Sequence, residues 1–416
     1  MSEWKKVRLG EITQIIDGDR GKNYPKDRDF LNNGYCLFLN TGNVTQNGFT
    51  FESNQFISKD KDEQLRKGKL LRGDLVYTTR GTVGNVAYYG DTIPFNHIRI
   101  NSGMVILRVG HNANPIFIYQ LLKSKTYRKY FKSFCTGSAQ PQLPIKNLSQ
   151  ILIDVPDVIT QNHIATILSR YDSLIENYQK QIKLLEEAAQ RLYKEWFVDL
   201  HFPGHENTKI VDGVPEGWEK KRLIDLVDVQ YGYAFDGRLF NSIGDGMPIL
   251  RIRNIPDGIT SDYTTEEASP NYIVHDGDIV VGMDGIFHIN SWNGGDAYLV
   301  QRACSFRPKE ESTRGYIFQA IQEPIKYFEQ TLVGATVAHL GKKHIDSIEL
   351  IVPPNKDLYI PFQKGFKQRQ SLLSQIRLLT EARDRLLPKL MSGEIDVSKV
   401  KISDYTYLAP EKMEVA

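Results

Sequence analysis

Two stretches of this chain carry the same heptad spacing, and neither can bury its apolar side alone. Between Thr160 and Asp199, apolar or aromatic residues fall at Ile164, Tyr171, Tyr178, Leu185 and Leu192, interleaved with Leu168, Ile175, Ile182, Ala189 and Trp196. The intervals alternate four and three, which predicts one long helix with a narrow seam. No Pro or Gly interrupts it, Thr160 is placed to cap its start, and His201-Phe202-Pro203-Gly204 stops it. From Pro361 to about Leu390 the pattern returns, with Leu372, Leu379 and Leu386 in one set and Ile376, Arg383 and Leu390 in the other. An offset of 194 lays these on Tyr178, Leu185, Leu192 and Ile182, Ala189, Trp196. Each rod is therefore the natural partner of the other. At about 1.5 Å per residue they would span roughly 58 and 45 Å, with Pro388 kinking or shortening the second.

The duplication extends beyond the rods. Trp4, Arg8-Leu9 and Glu11 recur as Trp218, Arg222-Leu223 and Asp225 at an offset of 214, and Gly73-Asp74 recurs as Gly277-Asp278 at 204. Gln142-Leu143 through Val155-Pro156 recurs as His339-Leu340 through Val352-Pro353 at 197. Falling offsets mean the same order of elements with shorter loops in the second copy. Within a copy, 74–78 and 83–89 read as strands around a TRGTVG turn, 104–107 as a buried strand, 115–131 as helix and 151–155 as a strand. The expected architecture is mixed α/β: a globular unit over 1–158, a long helix over 159–200, a second unit over 201–357, a second helix over 358–393 and a tail over 394–416. If the rods pair antiparallel, the product is a dumbbell with an internal pseudo-two-fold. Two like heads held tens of ångströms apart suit duplex DNA, whose half-sites on one face repeat every ~34–36 Å.

Charge is unevenly divided. Residues 1–150 carry 22 Lys and Arg against 12 acids, with no acid between Asp91 and Asp154, whereas residues 201–355 carry 14 against 22. The first block is what a phosphate backbone attracts; the second is not. Three cysteines without CxxC spacing suggest neither a disulfide framework nor a zinc site. With no signal-like N-terminus and no apolar run long enough to span a bilayer, a reducing, cytoplasmic setting is expected.

The two W…RL…GD units, each followed by a heptad helix, with LLEEAAQRLYKEWF, LLTEARDRLLPKLMSGEI and the loop TGSAQPQLPIKNL, resemble the DNA specificity subunit of type I restriction-modification systems. The resemblance covers nearly the whole chain up to Val397. It implies two target-recognition domains, each reading one half of a bipartite double-stranded DNA sequence. It also implies a coiled coil that sets the spacer and docks two methyltransferase subunits, and restriction (translocase and nuclease) subunits in the same complex. Such a chain is not an enzyme; S-adenosylmethionine, ATP and Mg would sit on its partners. Consistently, the sequence has no Asn/Asp-Pro-Pro-Tyr/Phe run, no Phe-x-Gly-x-Gly turn and no Walker lysine loop. The competing readings are a stand-alone DNA methyltransferase or nuclease with unrecognised motifs, and a coiled-coil scaffold without DNA affinity.

Candidate DNA-binding residues follow from base and phosphate chemistry. In the first unit they are Thr79 and Arg80 at a strand end, Asn96 and Arg99 shortly after, and Lys125 and Lys129 on a basic helix face that also holds Lys123, Arg128 and Lys132. Ser138 and Gln140 lie in the loop that follows. In the second unit Arg80 aligns with Asp284, so that contact is not shared. The candidates there are Arg251 and Arg253 on one side of a strand, Asn254, His288 and Arg302. On the rods, Tyr171, Tyr178, Leu185, Trp196, Leu379 and Arg383 are candidate partner-binding positions as well as packing ones. Arg383, inward on the seam, must snorkel outward or meet an acid. His201 and His205 read as loop residues rather than metal ligands.

Overall fold

The computed structural model describes residues 4–137, 141–332, 338–397 and 400. They form two compact units: one takes in the chain up to Ser173 together with the part from Leu379, the other runs from Leu174 to Leu378. Each long helix therefore contributes one end to each unit.

The first unit is built on a four-stranded antiparallel sheet ordered Thr13–Asp17, Met104–Val109, Leu75–Thr78, Val86–Tyr88. The run at 104–107 hardly alternates because both faces of this sheet are covered. Leu75, Tyr77, Val105 and Leu107 face a helical layer, whereas Val76, Met104 and Ile106 face a smaller sheet that pairs Cys36–Leu39 in parallel with Ile98–Ile100. Each such fully buried side chain contributes about 1.5–3 kcal/mol of transfer free energy. The single helix expected over 115–131 is two. Asn114 caps Pro115–Lys123, and Ser124 ends that helix and accepts from Tyr127 N at 3.3 Å to start Lys125–Lys132. Finally, Lys5–Arg8 pairs with Leu152–Val155 and the chain enters the first long helix.

The second unit repeats this plan. Its four-stranded sheet is ordered Val227–Tyr231, Ala303–Pro308, Ile279–Gly282, Ile289–Ser291, and a parallel pair, Met247–Leu250 with Ala297–Leu299, sits in a second sheet of five short strands. Ile279, Val281, Cys304 and Phe306 face the helices Arg314–Ala320 and Gln322–Thr331; Val280 and Ala303 face the five-stranded sheet. Glu219–Arg222 pairs with Glu349–Val352 before the second long helix. The duplication expected from the sequence offsets is borne out in the four-stranded sheet, the parallel pair and the strand pair before each long helix, whereas the second sheet has three strands in one unit and five in the other.

The first long helix runs Val158–Tyr193 and closes in a π-helical turn, Lys194–Val198. Its cap is Asp157, not Thr160: the Asp157 carboxylate accepts from Thr160 N at 3.0 Å and Oγ1 at 2.8 Å. These hydrogen bonds hold Asp157 below the ordinary carboxylate range. The second runs Ile360–Met391 and passes through Pro388 with only one turn left beyond it. In the first unit Asp172 meets Arg383 Nη1 at 2.7 Å and His163 Nδ1 lies 2.9 Å from Val397 O, so the two helices run antiparallel there. In the second unit Glu186 accepts from Arg369 Nε at 2.7 Å, while Trp196 packs edge-on against Phe362 with ring centroids 6.0 Å apart. As residue numbers rise on one helix they fall on the other, so the pairing is antiparallel here too.

Candidate nucleic-acid interface

In the first unit the strand Leu75–Thr78 runs into a six-residue turn, Thr79–Gly84, which the main chain specifies closely. Thr78 N donates to Asn85 O at 3.0 Å, Thr79 N to Gly103 O at 2.9 Å and Leu143 N to Thr79 O at 2.9 Å. Gly81 takes φ +70°, a value that favours glycine. Thr79 is buried and spends its hydroxyl on Gly103 O at 3.1 Å, so it supports the turn rather than reading anything. Arg80 is exposed, and among the described residues no carboxylate is in ion-pair range of it.

Other groups converge on that corner. A Cβ at Gly103 would lie 2.8 Å from Thr41 Cγ2 and 4.0 Å from Arg80 Cβ, so Thr41 flanks the arginine and position 103 has room only for glycine. Thr41 opens a 3-10 turn in which Asn40 Oδ1 accepts from Gly42 N at 2.8 Å and Asn43 Oδ1 accepts from Asn40 N at 2.9 Å. Arg20 donates to Ser102 O at 3.2 Å, one residue from Gly103. On the far side, Arg128 Cγ would be 3.5 Å from a Cβ at Gly84, which brings the helix Lys125–Lys132 alongside the turn. Tyr127 and Phe131 pack inward, and Lys125, Lys129 and Lys132 face solvent. Arg128 Nε is buried and has no hydrogen-bond partner among the described residues. The result is a rigid exposed arginine flanked by hydroxyl, amide and lysine groups, suited to a base edge and its neighbouring phosphates. Sequence reasoning missed Thr41 and Arg20. The N-T-G-N spacing around Thr41 is a legible capping signal; nothing local connects Arg20 to the corner.

The other candidates of this unit do different work. Arg99 is corrected to a structural residue. It is buried, and its guanidinium is saturated by Asp62 Oδ1 at 2.5 Å and by the carbonyls of Asp62, Leu65 and Lys67 at 2.7–3.0 Å. Lys69 adds a second cation to Asp62. Burial pushes the Asp62 carboxyl up, but hydrogen bonds from Lys69 and Arg99 outweigh it and leave the group below the ordinary range. Asn96 is exposed but lies at the opposite end of Ile98–Ile100 from the Arg80 corner, and its Oδ1 accepts from Arg72 Nη2 at 3.1 Å. Ser138 and Gln140 lie outside the described residues.

In the second unit the same turn is one residue shorter, Met283–Phe287, on the same main-chain plan. Gly282 N donates to His288 O at 2.9 Å, Met283 N to Arg302 O at 2.8 Å, Leu340 N to Met283 O at 2.7 Å, and Gly285 again has φ +70°. Asp284 stands where Arg80 stands. It forms an ion pair with Arg302, Nη1 to carboxylate 2.9 Å, and lies 2.6 Å from His339 Nδ1. Arg302 is thus brought to the corner, but charge-paired, and its backbone φ is +70°. His288 is half-buried at the base of the turn. The expectation of Arg251 and Arg253 on one side of a strand is corrected. The strand ends at Leu250 and Ile252–Asn254 is a 3-10 turn, with Asn254 Oδ1 capping Arg251 N at 2.9 Å. Arg251 lies over the Phe240 ring, 5.2 Å from its centroid. Arg253 grips Asp262 through Nε at 3.1 Å and Nη2 at 2.6 Å. Burial raises Asp262, yet the hydrogen bonds of Arg253 and Asn254 keep it below the usual range.

On the long helices Tyr171, Tyr178, Leu185, Trp196 and Leu379 are half-buried, and Arg383 meets an acid within its own chain, Asp172. The His201 and His205 rings lie tilted with centroids 5.2 Å apart, and His205 Nδ1 is 2.9 Å from Phe202 O. Among the described residues no three His, Cys, Asp or Glu converge as metal ligands, and no helix is long and apolar enough to cross a membrane.

A family model, the type I restriction modification DNA specificity domain, matches residues 1–187 and again 215–376. The chain belongs to that family. Both DNA specificity domains thus begin with a short edge strand and end within a long helix. Among curated relatives, the MjaIX specificity subunit of Methanocaldococcus jannaschii is 28% identical over 79% of each chain. The HindI specificity subunit of Haemophilus influenzae is 26% identical over 95% of this chain and all of that one. The fold is shared with the type I restriction-modification S subunit of M. genitalium, with a TM-score of 0.58 and 16% identity over 94% of this chain and 96% of that one. The DNA specificity family is therefore the context in which the two strand-end corners are read.

Proposed function

We propose that this chain is the non-catalytic recognition subunit of a cytoplasmic type I restriction-modification complex, each unit reading one half of a bipartite duplex target. The observation that carries this is the duplicated turn. Two copies of one backbone device, around Arg80 and around Asp284, bear different side chains, which is what two unlike half-sites require. In the first unit Arg80 supplies the base-edge contact, and Lys125, Lys129 and Lys132 supply phosphate contacts. The paired helices set the spacer and offer Tyr171, Tyr178, Leu185, Trp196 and Leu379 to two methyltransferase subunits, with restriction subunits completing the assembly. S-adenosylmethionine, ATP and Mg belong to those partners. Genome-wide mapping of methylated bases in cells carrying the chain with its methyltransferase tests this. A two-part motif should be present with the chain and gone when it is deleted; identical marks without the chain reject the reading. Binding of S-adenosylmethionine by the chain alone would favour a stand-alone methyltransferase.

A further inference from the structure

The second turn exposes a side chain unlike anything at the first. Ile286 sits at its tip, 60% exposed, on a backbone held from three sides. Its own carbonyl accepts from His288 N at 3.0 Å, Gly285 N donates to Ala338 O at 3.0 Å, and Phe287 N donates to Glu329 Oε2 at 2.7 Å. Phe287 is buried in the core beneath. Beside it, Arg302 and His339 are 68% and 59% exposed, while the Asp284 carboxylate that holds them is only 18% exposed. The corner thus offers solvent one fixed aliphatic group flanked by a guanidinium and an imidazole, with the carboxylate tucked behind. The matching position in the first unit is Thr82, whose carbonyl accepts from Thr78 Oγ1.

Resting on the recognition role above, we propose that Ile286 reads a thymine in the second half-site through its C5 methyl group, with Arg302 and His339 on the adjoining backbone phosphates. The thymine methyl is the apolar group that base edges present in the major groove. An aliphatic side chain cannot hydrogen-bond a base, so a tip that projects Ile286 gains from that methyl and from little else there. Asp284, by holding both Arg302 and His339, fixes where they point and removes the free arginine that would favour guanine. The second unit then discriminates by shape and apolar contact where the first discriminates by hydrogen bonding, which reconciles an acidic unit with DNA recognition.

The test uses the chain assembled with its methyltransferase subunits and duplexes bearing the methylation-mapped target. Each thymine of the second half is replaced in turn by uracil, which removes only the methyl. At one position wild-type affinity should fall about fourfold, the worth of one buried methyl-sized group. Ile286→Val should keep most of that sensitivity and Ile286→Ala should lose it, while a mismatch in the first half weakens all three alike. The proposal is overturned if no uracil matters, if the second half holds no thymine, or if Ile286→Ala responds as wild type does. Failure of Ile286→Ala to assemble with methyltransferase subunits also overturns it, because the residue would then face a protein. Absence of any chain-dependent target sinks the recognition role itself, a separate result visible before the uracil series begins.

Discussion

Early in the first unit's turn stands Arg80, exposed and, among the described residues, without an acid in ion-pair range; at the matching place in the second stands Asp284, holding Arg302 and His339. The backbones beneath follow one hydrogen-bonding plan, with a glycine at φ +70° in each, although the second turn is one residue shorter. The flanking helices differ in the same sense: Lys125–Lys132 carries Lys125, Arg128, Lys129 and Lys132 without an acid, and Gln322–Thr331 carries Glu323 and Glu329 against Lys326. Duplication has kept the main-chain hydrogen bonds, which any departure would leave buried and unpaired, and released the solvent-facing side chains, which cost little to change. Net charge is therefore a property of each unit's reading surface and says nothing about whether the units share a fold.

The comparison can be broken most severely through an arginine that is spent rather than free. Arg99→Met leaves the buried Asp62 with Lys69 as its remaining cation and the carbonyls of Asp62, Leu65 and Lys67 without their donor, and should cost about 3 kcal/mol of stability, measured by denaturant unfolding. Asp62 is held below the ordinary carboxylate range, so its contribution is complete above the unfolded carboxylate pKa and disappears as pH falls through the lower folded value. The deficit of Arg99→Met should accordingly shrink in acid. Arg80→Ala should do the reverse: leave stability within about 0.5 kcal/mol, weaken target binding by about 1–3 kcal/mol and relax one position of the first half-site, read by methylation mapping. Replacing Lys125, Lys129 and Lys132 by Gln should flatten the plot of log affinity against log salt by about 0.9 for each phosphate that is no longer neutralised, while Lys326→Gln leaves it nearly unchanged. The smallest effect belongs to Asp284→Asn. It should cost no more than about 1 kcal/mol in unfolding assays, because its partners are exposed, and should steepen the salt dependence by freeing Arg302.

Much of this molecule is legible along the chain. The heptads of Ile164–Trp196 and Leu372–Leu390 place the long helices, the recurring Gly73-Asp74 and Gly277-Asp278 place the second sheet on the first, and the alignment of Arg80 with Asp284 holds in space. The failures are of one kind. Arg99 and Arg80 have the same residue type in the same basic block, yet one is consumed by Asp62, 37 positions away, and the other is free. Thr160 is the cap expected from its place after the proline, but Asp157 is closer and charged. Arg251 and Arg253 read as strand residues because alternation continues past Leu250, where Asn254 bends the chain into a turn.

By itself, then, the sequence determined what repeats: periodicity and spacing are properties of order along the chain, and a copied order yields a copied fold. The tertiary structure alone decided which charges are available. Whether an arginine meets DNA or a buried carboxylate depends on groups far away in sequence, and the desolvation and pairing terms that settle it exist only after the chain has folded.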